Sequence, residues 1–107
     1  MKPWEVWDYE FPFGVHPAII VSNALRVQHK PDVVILKCST QRATREAIGL
    51  EAIVDEAEGL EWKTIVQCDV FFTVKKAGLK GKRGSVTKER RRDIARKMIA
   101  SFELAGL

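Results

Sequence analysis

Apolar and charged residues alternate almost strictly along residues 4–11, near the start of the chain. A period of two predicts a β-strand with one face in water. Residues 11–14 then predict a short loop, and the unbroken apolar run of residues 18–21 predicts a strand buried on both faces. Because proline is tolerated at the first residue of a strand, Pro17 should open this strand. His16 would then lie at the strand's mouth, unless it is an ordinary surface turn residue.

The next segments predict a second central strand and a polar turn. Residues 23–32 are polar and predict a connecting loop, whereas the β-branched run of residues 33–38 predicts a strand. That strand ends in the hydroxyl-rich residues 39–42. Because both central strands end in hydroxyl or amide side chains, we expect a polar patch at one end of the sheet. Residues 43–48 are expected to be irregular.

Further short strands are predicted in the second half of the chain. Residues 51–55 and 67–74 should be strands on either side of a turn at residues 56–60. A basic loop with three glycines follows, and residues 84–86 add a last short strand. Several short strands followed by one helix predict a mainly β fold, a small curled sheet or barrel with the helix packed on it. One domain should span residues 1–107.

The C-terminal helix is predicted from its cap and its apolar face. Thr87 suits the N-cap position, Glu89 opposes the helix dipole in the first turn, and Gly106 provides a stop. Apolar residues at helical spacing should form one face that packs against the sheet. They are Ile94, Ala95, Met98, Ile99 and Phe102.

The net charge of +4 is unevenly distributed along the chain. Residues 75–97 contain eleven basic and two acidic residues, whereas residues 1–74 contain seven basic and eleven acidic ones. A cationic block of this kind attracts phosphate backbones. A solvated helix face and a docking surface for an acidic protein are alternatives that charge alone leaves open.

Several classes of protein are disfavoured by composition. Cys38 and Cys68 lack the C-x-x-C spacing of a zinc or redox site and are expected to be reduced, buried thiols. The longest uncharged stretch, residues 11–25, contains glycine, proline and histidine and is therefore not a membrane span. The N-terminus lacks the apolar core of a signal peptide. We expect a cytoplasmic protein without a cofactor or metal.

Four segments, in order, resemble the MazF/PemK/Kid family of bacterial toxin–antitoxin ribonucleases. Residues 3–7 are similar to the family's opening Gly-Glu-(Ile/Val)-Trp strand, and residues 14–22 to its Gly-x-Arg-Pro strand. Residues 36–41 are similar to the strand that ends in Pro-x-Thr, and residues 59–69 to the Gly-Leu…Val-x-Cys-Asp segment. The resemblance implies an SH3-like barrel, a homodimer, metal-independent cleavage of mRNA by 2′-OH attack, and neutralisation by an acidic antitoxin.

Some positions depart from the family pattern. His16 stands where the family has Arg, and Gln67 stands where one branch has a basic residue. Ser39 maps to the family threonine, with Thr40 beside it, and the loop before His16 shrinks to residues 11–13. The hydroxyl groups are thus kept, while two guanidinium positions are changed.

Five residues are the catalytic candidates. His16 can act as base or acid, because an unperturbed imidazole titrates near pH ~6.5. Ser39 and Thr40 can donate hydrogen bonds to phosphate oxygens, or they simply form a strand-end turn. Arg42 can supply the charge that the family draws from its Arg. Asp69 can orient His16, bind a base edge or cap a turn.

The candidate RNA contacts are one aromatic and several polar residues. Phe13, on the loop, is a candidate for stacking on bases. The others are Gln67, Lys80, Lys82 and Arg83. The favoured function is a sequence-selective endoribonuclease toxin. The alternatives are a catalytically inactive member that binds nucleic acid or protein, and a toxin of the same fold that poisons gyrase.

Overall fold

The computed structural model describes residues 1–104, which form one curled antiparallel sheet with helices packed on it. The strands are β1 (Glu5–Phe11), β2 (Gly14–Ile20), β3 (Asp32–Cys38), β4 (Glu51–Val54), β5 (Thr64–Lys75) and β6 (Leu79–Ser85). The helices are α1 (Ala24–His29) and α2 (Lys88–Ala100), with 3₁₀ turns at Glu56–Glu58 and Lys76–Gly78. The strand order is β4-β5-β3-β2-β1-β6. The mainly β, SH3-like fold is confirmed, with the curled sheet left open between its edges β4 and β6.

The sheet buries apolar side chains on both of its faces. Val6 and Ile19 belong to a cluster that Ile94 of α2 completes. Ile20 belongs to a second cluster, which contains Val27 of α1. Neighbouring residues of β2 thus face different clusters, as expected of a strand buried on both faces. No helix within residues 1–104 is long and apolar enough to span a membrane.

The first hairpin confirms the short loop and corrects the start of β2. The register pairs Phe11 with Gly14 across the two loop residues, and Gly14 has a φ of 130°. β2 therefore begins at Gly14, three residues before Pro17, and His16 lies inside the strand opposite Tyr9. Pro17 is tolerated there because β2 pairs with β3 only through residues 18–20, so one side of the strand needs no donor at Pro17.

The prediction of a loop over residues 23–32 is wrong in its middle. Residues 24–29 form α1, and the Asn23 side chain accepts a hydrogen bond from the Arg26 N–H at 2.9 Å. Val27 is the buried residue of this helix. Six residues are too few to show a helical period in the sequence, so the N-cap asparagine is the usable signal.

The prediction of a basic loop after residue 75 is also wrong, because the last strand, predicted at residues 84–86, begins at Leu79 and ends at Ser85. Residues 79–85 form β6, which pairs with β1 along the edge of the sheet. Its register shifts twice, between Val6 and Trp7 and between Trp7 and Asp8. Glycines and exposed lysines hide the strand period here, so this strand is defined mainly by its pairing partner.

The expected polar patch at one end of the two central strands does not form. β2 and β3 are antiparallel, so their C-terminal ends lie at opposite ends of the ladder. Ser22, after β2, accepts a hydrogen bond from the Val34 N–H at 2.7 Å, whereas Ser39 follows the far end of β3. Ser39 therefore lies near the beginning of β2, where His16 is found.

The helix α2 begins as predicted, but its cap comes from another segment. Thr87 occupies the N-cap position without a side-chain cap bond, and its N–H donates instead to Glu58 Oε2 at 3.2 Å. The predicted apolar face is only partly buried, because Ile99 and Phe102 are 61% and 54% exposed. The predicted stop at Gly106 lies outside the described residues.

The two cysteines are free and buried, as expected. Burial raises the pKa of the Cys38 thiol to about 12 and that of the Cys68 thiol to about 11. Both thiols are therefore protonated at neutral pH and behave as small apolar side chains.

Candidate functional site

A gap opens where the ladder between β2 and β3 stops. These strands pair only through Ala18, Ile19 and Ile20 of β2. Beyond Leu36 the register of β3 against β5 shifts, so that Cys38 pairs with Val66, and the Ser39 N–H then donates to the Ile65 carbonyl of β5 at 3.2 Å. Residues 14–17 of β2 therefore face an opening on the side of residues 39–45. Backbone and side-chain groups on both sides of this opening are available to a ligand.

His16 is held at the edge of this gap by a carbonyl group and two phenyl rings. Its Nδ1 lies 3.2 Å from the carbonyl oxygen of Cys38. Because a carbonyl only accepts hydrogen bonds, Nδ1 carries the proton and Nε2 of the neutral ring is an acceptor. The imidazole packs edge-on against Phe11 and Phe13, with ring centres 5.7 and 5.4 Å apart. These contacts fix the ring and leave Nε2 without a protein hydrogen bond among the described residues.

The segment that follows β3 is fastened by its own polar groups. Ser39 Oγ accepts a hydrogen bond from the Gln41 N–H at 3.1 Å, which forms the strand-end turn. The Thr64 hydroxyl lies 2.8 Å from the Ser39 carbonyl oxygen and 3.0 Å from that of Gln41. The Ser39 hydroxyl hydrogen is not used in that turn and can still be donated to a ligand.

Two clefts flank Ser39, which lines both. The first, which we call the Trp62 cleft, has a volume of about 120 Å³ and is lined by Asp8, Val15, Pro17, Ser39, Thr40, Leu60, Glu61, Trp62, Thr64 and Arg83. The second, the Lys37 cleft, has a volume of about 340 Å³ and is lined by Lys37, Ser39, Gln41, Arg42, Ala43, Thr44, Arg45, Glu51, Ile65, Gln67 and Val70.

The Lys37 cleft carries positive charge that carboxylates only partly compensate. Arg45 is bound by Glu51 through two contacts of 2.6 and 2.8 Å. The Lys37 ammonium instead lies 5.6 Å from the ring centre of Phe13, and the Arg42 guanidinium lies 5.5 Å from that of Trp62. Among residues 1–104, neither of these two cations forms a salt bridge. The Lys37 cleft is therefore suited to a phosphate group.

Lys37 is the residue of this site that the sequence reasoning missed. Strand alternation places Lys37 on the face of β3 opposite to the buried Cys38, and its register partner is Ala18, two residues from His16. The signal that was available is a single charged residue inside an otherwise apolar strand, residues 33–38.

The other candidates do not all reach the gap. Gln67 lines the Lys37 cleft, and Phe13 is 60% exposed with one face stacked on Phe11 at 5.1 Å. Asp69 is exposed and lines neither cleft. Within the described chain, no hydrogen bond joins Asp69 to His16, whose orienting partner is the Cys38 carbonyl. The expectation that Asp69 orients His16 is therefore not supported by the geometry.

The cationic residues of β6 are largely occupied within the protein. Lys82 Nζ lies 2.9 Å from Glu5 Oε2, and Arg83 donates to Asp8 Oδ1 at 3.3 Å. Burial alone would raise the pKa of Glu5, but hydrogen bonds from Lys82, Trp7 and the Lys2 N–H outweigh it and lower the pKa to about 2. The cationic block of residues 75–97 is thus not one free surface. Of the two lysines in β6, Lys82 forms a salt bridge, whereas Lys80 is exposed and forms none with the described residues.

A family model confirms the resemblance seen in the motifs. The model of PemK-like, MazF-like toxins of type II toxin–antitoxin systems matches residues 4–102. No curated protein sequence matches the chain significantly.

Solved structures share the fold over nearly the whole chain. A mycobacterial endoribonuclease, in complex with its cognate antitoxin, has 25% sequence identity and a TM-score of 0.85, with 97% of this chain and 96% of that chain covered. A second mycobacterial endoribonuclease has 26% identity and a TM-score of 0.76, with 94% and 89% covered. The Mycobacterium tuberculosis toxin MazF-mt6 has 20% identity and a TM-score of 0.81, with 94% and 97% covered.

Proposed function

We propose that this chain, which belongs to the family of PemK-like, MazF-like toxins of type II toxin–antitoxin systems, is an endoribonuclease that cleaves single-stranded mRNA at preferred sequences. Two mycobacterial endoribonucleases with 25% and 26% identity, alike over almost the full chain, support this activity. The proposal includes action in the cytoplasm and no need for a metal or cofactor.

One observation carries the proposal, namely the orientation of His16 at the gap. The hydrogen bond to the Cys38 carbonyl fixes the His16 ring so that Nε2 is the proton acceptor. Ser39, which follows Cys38 in the chain, lines both clefts. A strand of RNA that crosses Ser39 would present a ribose and its phosphate to these two groups. A general base must lie within hydrogen-bond reach of the proton that it removes, and a fixed ring is suited to that task.

The proposed reaction is a transesterification within the RNA. His16 Nε2 takes the proton of the 2′-OH while the 2′ oxygen forms a bond to the adjacent phosphorus. The bond from phosphorus to the 5′ oxygen then breaks, and this oxygen takes a proton from water. The products are a 2′,3′-cyclic phosphate and a 5′-hydroxyl. The hydroxyl groups of Ser39 and Thr40 donate to non-bridging oxygens as negative charge builds up.

Fixed positive charge in this scheme comes from Lys37 and Arg42. Neither cation forms a salt bridge within residues 1–104, so both are available to a phosphate. An imidazole that accepts a proton begins the reaction neutral and cannot supply that charge. In this scheme, the catalytic role of the single family Arg is divided between His16, which acts as the base, and two separate cations, Lys37 and Arg42.

Peripheral contacts complete the proposed RNA path. Phe13 can stack on a base through the ring face that Phe11 leaves open, and Gln67 can bind a base or phosphate along the Lys37 cleft. Lys80 can add a solvent-exposed phosphate contact. Lys82 and Arg83 are held by Glu5 and Asp8, and they contribute mainly to the field around the site.

The proposed partners are a second copy of the chain and an acidic antitoxin. Exposed apolar residues, among them Ile48, Ile99, Phe102 and Leu104, leave surface for such contacts. One similar structure is a complex with its cognate antitoxin, and another, from Deinococcus radiodurans, is a MazE–MazF complex.

The decisive experiment compares the two histidines. His16→Gln keeps an amide donor for the Cys38 carbonyl but cannot accept a proton, and His29→Gln is the matched control on exposed α1. Single-turnover cleavage of a 5′-labelled RNA should fall on the order of 10²-fold or more in His16→Gln and stay unchanged in His29→Gln. The wild-type rate should rise with pH across the range in which imidazoles titrate.

Intact RNA with wild-type protein, in the presence or absence of divalent ions, would overturn this function. Equal rates for His16→Gln and wild type, or products with a 3′-hydroxyl, would overturn the proposed mechanism. Growth arrest with intact RNA and broken DNA would favour the gyrase-poison alternative.

A further inference from the structure

The main chain that follows β3 stays beside the first residues of β5. The Ser39 N–H donates to the Ile65 carbonyl at 3.2 Å, and the Ala43 N–H donates to the Lys63 carbonyl at 2.8 Å. These two hydrogen bonds hold both ends of residues 39–43 against the beginning of β5. One edge of this segment therefore faces β5, and the opposite edge faces the gap that the short ladder between β2 and β3 leaves open.

The Thr64 side chain occupies the middle of the edge that faces β5. It is 1% exposed, and its hydroxyl lies 2.8 Å from the Ser39 carbonyl oxygen and 3.0 Å from that of Gln41. A hydroxyl has one hydrogen to donate, so the two carbonyl groups share it. Both carbonyl groups must point toward Thr64 to do so. Thr64 thus sets the orientation of two peptide groups, the one after Ser39 and the one after Gln41.

The N–H groups of these two peptide groups point in the opposite direction. In a trans peptide group the C=O and the N–H point to opposite sides of the chain, and the described residues contain no cis peptide bond. The N–H groups of Thr40 and Arg42 therefore point away from Thr64. Neither has a hydrogen-bond acceptor in the part of the chain that the structure describes. The Gln41 N–H between them differs, since it donates to Ser39 Oγ at 3.1 Å.

The side to which these two N–H groups point is the side of His16. The peptide group between Cys38 and Ser39 gives the direction, because its carbonyl oxygen lies 3.2 Å from His16 Nδ1 while its N–H donates to β5. Groups that point away from β5 at Thr40 and Arg42 thus point toward the gap. Both residues are exposed, so a ligand can reach their N–H groups. Main-chain N–H groups fixed in this way stabilise negative charge on oxygen.

The spacing of the two donors suits separate groups of one RNA strand. N–H groups two residues apart on one edge of a chain lie roughly 6–7 Å apart, too far to share one oxygen atom. The Thr40 N–H is nearer along the chain to the carbonyl that holds His16. It is therefore the donor placed for the phosphate on which His16 acts, and the Arg42 N–H is placed for a neighbouring phosphate.

We propose that the main-chain N–H groups of Thr40 and Arg42 donate to phosphate oxygens in the gap, and that Thr64 is the positioning residue that orients them. The Thr40 N–H donates to the cleaved phosphate and stabilises the negative charge that builds up on it. The proposal rests on the proposed function for its link to cleavage. The contact of the two N–H groups with phosphate can be measured without any cleavage.

The first test follows the amide protons by NMR in isotope-labelled protein. A 2′-O-methyl RNA lacks the attacking hydroxyl and stays intact, and its binding should move the Thr40 and Arg42 amide protons downfield, because they then donate to charged oxygens. The N–H groups of Gln41 and Ala43 are internal controls, since they already donate within the protein. The downfield shifts should be lost in Thr64→Val and kept in Thr64→Ser. Equal changes at all four amide protons would overturn the proposal.

The second test measures single-turnover cleavage. Thr64→Val keeps the β-branched shape but removes the hydroxyl, and the rate should fall roughly 10- to 100-fold, by more than the affinity for 2′-O-methyl RNA falls. Thr64→Ser should keep most of the rate. The matched control is Ser22→Ala, because Ser22 is also buried and its hydroxyl accepts from the Val34 N–H at the far end of β2. It should lower the thermal unfolding temperature and leave the rate unchanged.

Equal rates for Thr64→Val and Ser22→Ala, or a loss in Thr64→Ser as large as that in Thr64→Val, would overturn the positioning role. If Thr64→Val does not fold, the amide-proton shifts of the wild-type protein decide the proposal. Downfield shifts at Thr40 and Arg42 without cleavage of a ribose RNA would refute the endoribonuclease function and keep the phosphate donors. Cleavage without these shifts would refute the donors and keep the function.

Discussion

Lys37→Met removes the proposed fixed charge while keeping an unbranched apolar side chain of similar length. The cleavage transition state carries one more negative charge on the phosphorus oxygens than the substrate does. A cation about 4 Å away stabilises that charge by about 4 kcal/mol at an effective dielectric constant of ~20, and by about 1 kcal/mol in water. Lys37 is half-buried, so a value between these limits, about 1.4–2.8 kcal/mol, is expected. This corresponds to a roughly 10- to 100-fold loss of rate.

The assay is single-turnover cleavage at saturating protein, with binding of a 2′-O-methyl RNA measured separately. Lys37→Met should lower the rate far more than the affinity, because the charge acts chiefly on the transition state. Lys37→Arg should keep most of the rate, and Lys80→Met, at an exposed lysine of β6, is the control for loss of one charge. Equal rates for Lys37→Met and wild type would refute the reasoning. So would equal losses of affinity in Lys37→Met and Lys80→Met with no loss of rate, because Lys37 would then be an ordinary phosphate contact.

Three further predictions concern stability and assembly. Arg90 binds Asp55 and the fully buried Glu58, so Arg90→Met should cost about 3–5 kcal/mol in urea unfolding, and Arg90→Met with Glu58→Gln should cost less. The control is Arg96→Met, because the Arg96 side chain is 79% exposed, and it should change the free energy of unfolding by less than about 1 kcal/mol. Equal losses of stability in Arg90→Met and Arg96→Met would contradict the buried-pair argument. Hydrogen bonds from Arg90 lower the pKa of Asp55 to about 2, and Glu5 also has a pKa of about 2. The stability that these two ionised carboxylates give to the fold is therefore fully present above their ordinary pKa values, 3.8 for Asp55 and 4.5 for Glu5. It should be lost as the pH falls toward about 2, and a urea midpoint that stays constant between pH 5 and 2 would exclude this linkage. Light scattering should report a homodimer at micromolar concentration, and a stable monomer there would count against the proposed assembly.

The sequence predicts the central strands well because their own side chains determine them. Val33, Ile35 and Leu36 are β-branched or apolar and fully or mostly buried, so local pattern and final environment agree. The strand β6 is different, since Lys80, Gly81 and Lys82 have no strand period of their own. Pairing with β1 creates that strand, and such a long-range contact leaves no mark within a short window of sequence.

The sequence predicts only part of the candidate site, again because long-range strand pairing brings its residues together. His16 and Ser39 stand out as chemically capable residues, but their proximity follows from the antiparallel direction of β2 and β3. The expected polar patch assumed that the ends of both strands meet, which holds for parallel strands. Asp69 was one candidate for orienting His16, beside a role in binding a base edge or in capping a turn, whereas a backbone carbonyl, which every residue possesses, lies next to the His16 ring. No reasoning from side-chain types alone identifies such a partner.

The short ladder between β2 and β3 connects the unusual His16 to the rest of the site. If the two strands paired further, residues 14–17 would face a neighbouring strand and the edge of His16 would be closed to substrate. Proline at position 17 prevents one such ladder bond because it has no N–H, and the Ser39 N–H donates to the Ile65 carbonyl of β5, at 3.2 Å. In the proposed mechanism, this opening is where His16, the hydroxyl groups of Ser39 and Thr40, and the Lys37 cleft act on one phosphate. An Arg at position 16 would remain charged and serve only as a cation. A histidine there is useful only if another residue supplies that charge, and Lys37, on the same face of the sheet and outside any salt bridge in the described chain, is positioned to do so.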